Sequence, residues 1–120
     1  MKKIVTYRDL IAWQKSHQLV LIVYKITSIF PKLEIFVLTS QMRRSAVSIT
    51  SNIAEGFARQ GAKEKVQFYL HSKSSLAELQ SQLEIAKDLN YLTTRKHNEV
   101  EELVVECHKL LSGLIKNQKG

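Results

Sequence analysis

Apolar residues recur at helical spacing along four long segments of this chain, and only short breaks separate those segments. With one proline and four glycines in 120 residues, the chain has few points at which it can turn sharply. No stretch reads as a pair of alternating strands. The sequence therefore predicts an all-α fold, an antiparallel up-and-down four-helix bundle forming one domain over 1–120, with helices at about 9–30, 35–56, 63–90 and 94–116.

The first predicted helix carries apolar side chains on two nearly opposite faces. One face consists of Leu10, Trp13, His17, Val20, Leu21 and Tyr24. The other consists of Leu19, Ile22, Val23, Ile26 and Phe30. A helix in a small bundle buries one stripe, so the second face is predicted to contact another subunit. The alternative is that this face meets a neighbouring helix of the same chain at an angle.

The second predicted helix has a polar stripe beside its apolar one. The stripe consists of Gln41, Arg44, Ser45, Ser48, Asn52 and Glu55. Its middle is small and hydroxyl-rich, with one charge near each end. Arg44 and Glu55 are separated by roughly 16 Å of helix rise, so they cannot pair along one helix. Their partners are expected to come from elsewhere.

The formal net charge of +7 favours encounters with nucleic acid or anionic surfaces. Four basic side chains are candidates for contacts with the phosphates of RNA or DNA: Arg43, Arg44, Arg59 and Lys63. For Arg44 the alternative is an ion pair or hydrogen bond to a neighbouring subunit. The chain has no signature nucleic-acid motif, and no stacking platform for single strands is evident.

No residue pattern in the chain indicates a catalytic, metal-binding or phosphate-binding site. The histidines lack metal-ligand spacing, and nucleophile and phosphate-loop motifs are absent. The sequence therefore predicts no catalytic residues, no metal, no cofactor and no enzyme activity. The only cysteine, Cys107, lies in an apolar stripe and is predicted to be a core residue, as suits a reducing cytoplasm. No secretory leader and no membrane segment is predicted, because the longest apolar run, 19–24, is too short to span a bilayer.

Two linked motifs in the second helix carry a family resemblance. They are Q-M-R-R-S-A-V-S-I at 41–49 and S-N-I-A-E-G at 51–56, preceded by Asp9-Leu10 and Trp13-Gln14. The chain resembles the four-helix-bundle family named for open reading frames in intervening sequences of bacterial 23S rRNA. The similarity covers nearly the whole chain. A related branch is the accessory protein of diversity-generating retroelements, a basic pentameric barrel that binds a reverse transcriptase and nucleic acid.

The resemblance implies an up-and-down bundle that assembles into a ring, commonly a homopentamer, without known enzymatic activity. It also implies that Arg44, Asn52 and Glu55 are structural or interface residues of the ring. With Ser48 between them, they are the candidate subunit-contact residues of the second helix. We therefore expect a non-catalytic cytoplasmic homo-oligomer that binds RNA or DNA weakly through basic surface. The alternative is an interaction scaffold with a protein partner and no nucleic-acid role.

Overall fold

The computed structural model describes residues 3–119, which form four α-helices. They are α1 (Ile11–Thr27), α2 (Leu38–Ala58), α3 (Ala62–Asp88) and α4 (Thr94–Lys119). The backbones of α1 and α3 each lie close to those of both α2 and α4, whereas the backbones of α2 and α4 do not approach each other. The helices therefore stand at the corners of a square with α2 and α4 on one diagonal, and the predicted all-α four-helix bundle is confirmed.

The first helix is shorter than the predicted span of about 9–30. Thr6 and Asp9 cap each other's backbone in a capping box, which starts a separate 3₁₀ turn at Tyr7–Asp9. At the other end, the Thr27 hydroxyl donates to the carbonyl oxygen of Val23 at 2.7 Å. A second 3₁₀ turn, Lys32–Glu34, occupies the connection, so α2 begins at Leu38 rather than near 35.

The second predicted apolar face of α1 lies in the core of the chain rather than at a subunit contact. Leu19 and Val23 are fully buried in the core of the single chain, and Ile26 and Phe30 are 5% and 6% exposed. These four side chains face the chain's own interior and have no surface to offer a second subunit, so their assignment as subunit-contact residues is wrong. Ile22 is half-buried. The first predicted face is divided. Leu21 and Tyr24 meet solvent, at 57% and 45% exposed. Leu10, Trp13 and Val20 are half-buried against the core.

Small residues explain this error. Ala12 and Ser16 are buried on the same side of α1 as Leu19 and Val23. These four positions are separated alternately by four and three residues, which is the spacing of helix residues that face a bundle core. Both faces of α1 have large apolar residues in similar number, so those residues alone do not identify the core face.

α2 and α3 approach each other very closely near their shared turn. Gly56 lies against the ring of Tyr69, where an added Cβ would stand 2.6 Å from Cε1. Further along, the buried Ser72 hydroxyl donates to the carbonyl oxygen of Ile49 at 2.8 Å. No helix within residues 3–119 is both long and apolar enough to cross a membrane.

Candidate interaction surface

An apolar patch with two arginines lies where α1 and α2 meet. We call it the corner patch; it consists of Tyr24, Ile35, Phe36, Arg43, Arg44 and Val47, which line a groove of about 600 Å³. Phe36 is 90% exposed, the highest value among the large apolar residues that the structure describes as exposed. Ile29 and Leu33, in the same connection, are each 77% exposed. Large exposed apolar patches are typical of interaction sites.

Local contacts fix the connection that carries Phe36. On its N-terminal side, the Tyr91 hydroxyl donates to the Glu34 carboxylate at 2.7 Å. The Tyr91 ring also packs against Phe30, with centroids 5.2 Å apart. Hydrogen bonding to Glu34 raises the pKa of Tyr91 above its ordinary value, which favours the protonated phenol that donates this bond. On its C-terminal side, α2 begins at once. Phe36 is therefore presented from a connection fixed at both ends.

The adjacent residues Arg43 and Arg44 have different roles. Arg43 turns toward α1, where its Nε donates to the Thr27 hydroxyl at 2.9 Å. Its guanidinium also lies 4.6 Å from the centroid of the Tyr24 ring. Arg44 points outward, is exposed and has no ion pair with any residue in the described range 3–119. Of these two predicted phosphate-contacting residues, Arg44 is the one with a free guanidinium.

A polar groove between α2 and α3 contains the N-terminal part of the predicted stripe. It is lined by Gln41, Arg44, Ser45, Ser48, Ser75, Glu78 and Gln82. The hydroxyls of Ser48 and Ser75 are 2.8 Å apart, and the Asn52 amide donates to the Ser48 carbonyl oxygen at 2.9 Å. Ser48 and Asn52 are therefore occupied within the chain. Glu55 is exposed and, within the described residues, forms no ion pair.

The remaining predicted phosphate contacts lie at the other end of α2. Arg59 and Lys63 are both exposed, and the Arg59 guanidinium lies 4.7 Å from the centroid of the Phe68 ring. Roughly 22 Å of helix rise separates Arg59 from Arg44, so the four basic residues form two groups rather than one site. Sequence reasoning missed Lys65, whose ammonium donates to the Phe57 carbonyl oxygen at 2.7 Å and so caps the C-terminus of α2.

The outer side of α4 carries a charged surface that sequence reasoning treated only as solvated. Its groove is lined by Glu99, Glu102, Leu103, Val105, Glu106 and Lys109. Glu99 pairs with Lys96 at 3.1 Å and lies 3.7 Å from Arg95, and Glu106 lies 3.7 Å from Lys15. Glu102 has no ion pair within residues 3–119. Val105 is 43% exposed, so this surface combines apolar side chains with carboxylates that are mostly paired to lysine and arginine.

The side chains that could act as nucleophiles, bases or metal ligands are either buried or not clustered. Cys107 is fully buried, as predicted, and burial raises the pKa of its thiol to about 11. His97 is 4% exposed, with its Nε2 3.0 Å from the Glu84 carboxylate. Within the part of the chain that the structure describes, no group of three or more His, Cys, Asp or Glu residues is arranged to hold a metal ion.

Comparisons with known proteins agree with this architecture. A crystal structure of a protein of unknown function from the S23 ribosomal protein family of Bacteroides thetaiotaomicron superposes with a TM-score of 0.79 at 24% identity, over 88% of this chain and 99% of that one. At that identity the likeness shows the fold alone. No curated protein matches the chain. The family profile of the 23S rRNA-intervening sequence protein matches residues 8–113, and the chain therefore belongs to that family.

Proposed function

We propose that the chain is a non-catalytic building block of a cytoplasmic homo-oligomer and that the assembly binds RNA or DNA through its basic surface. The observation that carries the first part is the corner patch, with Phe36 90% exposed on a fixed connection. Interfaces owe most of their binding energy to a few large side chains, aromatic ones above all. A side chain as large as phenylalanine buries about 150–250 Å², a substantial share of the roughly 800 Å² per partner in a stable interface.

The nucleic-acid part of the proposal rests on charge. The net charge is +7, and Arg59 and Lys63 are exposed at the α2–α3 turn without an ion pair among the described residues. An assembly would repeat this pair in every subunit, and repeated weak phosphate contacts reinforce one another. The binding is expected to be insensitive to sequence, because contacts to phosphates carry no sequence information.

The proposed oligomer is tested by measuring the molar mass of the protein in solution. We expect light scattering to give the unaltered protein a mass several times the 13.8 kDa of one chain, and five times by the family resemblance. Phe36→Ser is expected to give a folded species of 13.8 kDa, because it removes the most exposed apolar side chain of the corner patch. Leu70→Ser is the matched control, since Leu70 is 41% exposed on α3 and should leave the mass unchanged. A monomeric unaltered protein would refute self-association.

Nucleic-acid binding is tested by its salt dependence. A labelled 20-nucleotide RNA should be retained in a filter assay at low salt and released as salt rises, because each neutralised phosphate releases counterions. Arg59→Glu/Lys63→Glu should lower the slope of log affinity against log salt by about 0.7 to 0.9 for each lost phosphate contact. The control Lys109→Glu/Lys116→Glu makes the same change in net charge elsewhere and should have the smaller effect.

The corner patch also fits a second function, a scaffold that docks a different protein and binds no nucleic acid. Under that alternative the unaltered protein would be monomeric, and no RNA or DNA would be retained even at low salt. The buried thiol of Cys107 suits the reducing cytoplasm in either case.

A further inference from the structure

The outer side of α3 carries a line of apolar and small residues that the rest of the described chain, 3–119, leaves in solvent. We call it the outer seam; it consists of Leu70, Ser74, Ala77, Ser81 and Ile85, all of them exposed. Leu70 and Ile85, at its two ends, are 41% and 46% exposed. Successive positions are three or four residues apart, which is the spacing at which one helix presents a face to another. The seam covers roughly 22 Å of helix rise, the length of about four turns.

A groove between α3 and α4 runs along the N-terminal half of the outer seam. Its volume is about 630 Å³, and its lining includes Leu70, Ser74 and Ala77 of α3 with Val104 and Val105 of α4. Val105 is 43% exposed, so the groove has apolar surface on both helices. The distance between packed helices depends on the size of the side chains at the contact. Serine and alanine in the middle of the seam therefore leave room for another helix to lie close to α3.

Positive charge is concentrated at one end of this groove. Lys73, His108 and Lys109 line it, and no carboxylate does. At the other end the Gln80 amide donates to the Glu101 carboxylate across the antiparallel pair of helices. Lys73 lies seven residues before Gln80, and His108 lies seven residues after Glu101, so these two basic side chains stand at the same level. The three basic residues thus gather near the Leu70 end of the groove.

The two lysines of the groove have no counter-charge of their own. Neither Lys73 nor Lys109 forms an ion pair with any residue in the described range. The Lys73 side chain is half-buried, with its stem along the apolar lining. Lys109 also borders the charged surface on the outer side of α4, yet it pairs with neither Glu102 nor Glu106 there. Both ammonium groups are therefore free to meet carboxylates from outside the chain.

We propose that the α3–α4 groove docks an acidic amphipathic helix of a different protein, with the apolar stripe of that helix on the outer seam and its carboxylates at Lys73 and Lys109. Helices bind grooves in this way through apolar side chains at three- and four-residue spacing. The complementary charges set the orientation and the rate of encounter. The groove lies at the α3–α4 edge of the bundle, opposite the α1–α2 edge that carries the corner patch. Docking there goes beyond the proposed function and does not depend on it.

Other occupants match the groove less well. Nucleic acid would contact the lysines, but phosphates would leave Leu70 and Val105 uncovered. The outer side of α4 from a second copy is a poor source of carboxylates, because Glu99 and Glu106 are already paired within their own chain. A foreign helix with acidic side chains beside an apolar stripe satisfies both the lysines and the exposed apolar residues.

Two labelled peptides of opposite charge test the proposal by fluorescence anisotropy with the full chain. Each has about 18 residues, enough to cover the outer seam, with leucines at three- and four-residue spacing on one face. Glutamates flank the leucines in one peptide, and lysines replace those glutamates in the other. We expect the acidic peptide to bind saturably and at least about tenfold more tightly than the basic one. Lys73→Glu/Lys109→Glu should weaken binding of the acidic peptide by at least about tenfold.

Ala77→Arg separates docking in the groove from attraction by charge alone. The substitution adds positive charge but fills the middle of the outer seam with a long side chain. Docking in the groove predicts binding of the acidic peptide that is weaker by at least about tenfold, whereas attraction by charge alone predicts tighter binding. Ala77 is exposed, so the variant should fold, and its circular dichroism spectrum checks that.

Arg59→Glu/Lys63→Glu is the matched control, because it makes the same change in net charge as the double lysine variant at the α2–α3 turn. Its affinity for the acidic peptide should stay within about threefold of the unaltered value, since salt screens charges more than a Debye length away. Its retention of RNA should fall, as the proposed nucleic-acid contact requires. The two double variants thus separate the two sites.

The remaining outcomes each decide the proposal. Equal affinity for the two peptides, or tighter binding by Ala77→Arg, would overturn the groove as a helix-docking site. A Leu70→Ser variant of smaller molar mass than the unaltered protein would assign the outer seam to a second copy and overturn a foreign partner. Unaltered protein that is monomeric and still prefers the acidic peptide would support this docking while refuting self-association.

Discussion

Leu19→Ala is expected to destabilise the bundle by about 2–5 kcal/mol, whereas Leu21→Ala should leave its stability nearly unchanged. Leu19 is fully buried in the core, so truncation removes apolar contacts and leaves a cavity. Leu21, two residues further along the same helix, is 57% exposed and loses little. Chemical denaturation in urea measures both as a change in midpoint at constant slope.

This pair of variants decides which face of α1 is the core. The comparison is best made in the Phe36→Ser background, because assembly would otherwise raise apparent stability by mass action. An equal loss in the two variants would contradict the placement of Leu19 and Leu21. A larger loss for Leu21→Ala would restore the face assignment that the sequence alone suggested.

Gly56→Ala is expected to destabilise the bundle by about 1–3 kcal/mol even though alanine favours helix. The added Cβ would stand 2.6 Å and 2.9 Å from two ring carbons of Tyr69, and 3.0 Å from the Cβ of Phe68. Tyr69 is only 1% exposed, so its ring has no open space into which to move. Separation of α2 from α3 is the remaining way to relieve the clash. Thermal unfolding followed by circular dichroism at 222 nm measures the loss.

Gly113→Ala in α4 is the matched control, because a Cβ there meets nothing within 4 Å. That substitution should stabilise the protein by up to about 1 kcal/mol through helix propensity alone. Gly56→Ala/Tyr69→Leu should lose less stability than the sum of its two single variants, since the smaller side chain relieves the clash. A rise in melting temperature for Gly56→Ala similar to that for Gly113→Ala would contradict the tight contact.

The fold was readable from the sequence because four apolar stripes at helical spacing, separated by few turn residues, leave little choice of architecture. The faces of α2 and α4 were also readable. Met42 and Ile49 are fully buried in α2, and Val104 and Leu111 are almost fully or fully buried in α4. α1 was not readable, because both of its faces are apolar and the small residues that complete the core seam carry little hydrophobic signal.

Less of the candidate surface than of the fold could be predicted from the sequence. Arg43 and Arg44 are adjacent, yet about 100° of helix rotation turns one onto Tyr24 of α1 and the other to solvent. That difference depends on where α1 lies, which the second helix alone does not encode. The exposure of Phe36 was equally hidden, because an apolar residue just before a helix is ordinarily assigned to the core. The hydrogen bond between Tyr91 and Glu34, which are 57 residues apart in the sequence, helps fix the connection that carries Phe36 on the surface.

The same bond bears on how copies of this chain can exchange parts. α2 and α3 are joined by three residues, 59–61, so the two helical hairpins can part only by separating α2 from α3, the most extensive helix contact in the bundle. Such opening would let hairpins trade between neighbouring molecules, a low-cost route to entangled dimers. The tie from Tyr91 to Glu34 links the tips of both hairpins at the far end and opposes that opening. Copies should therefore meet as closed bundles and part again without unfolding.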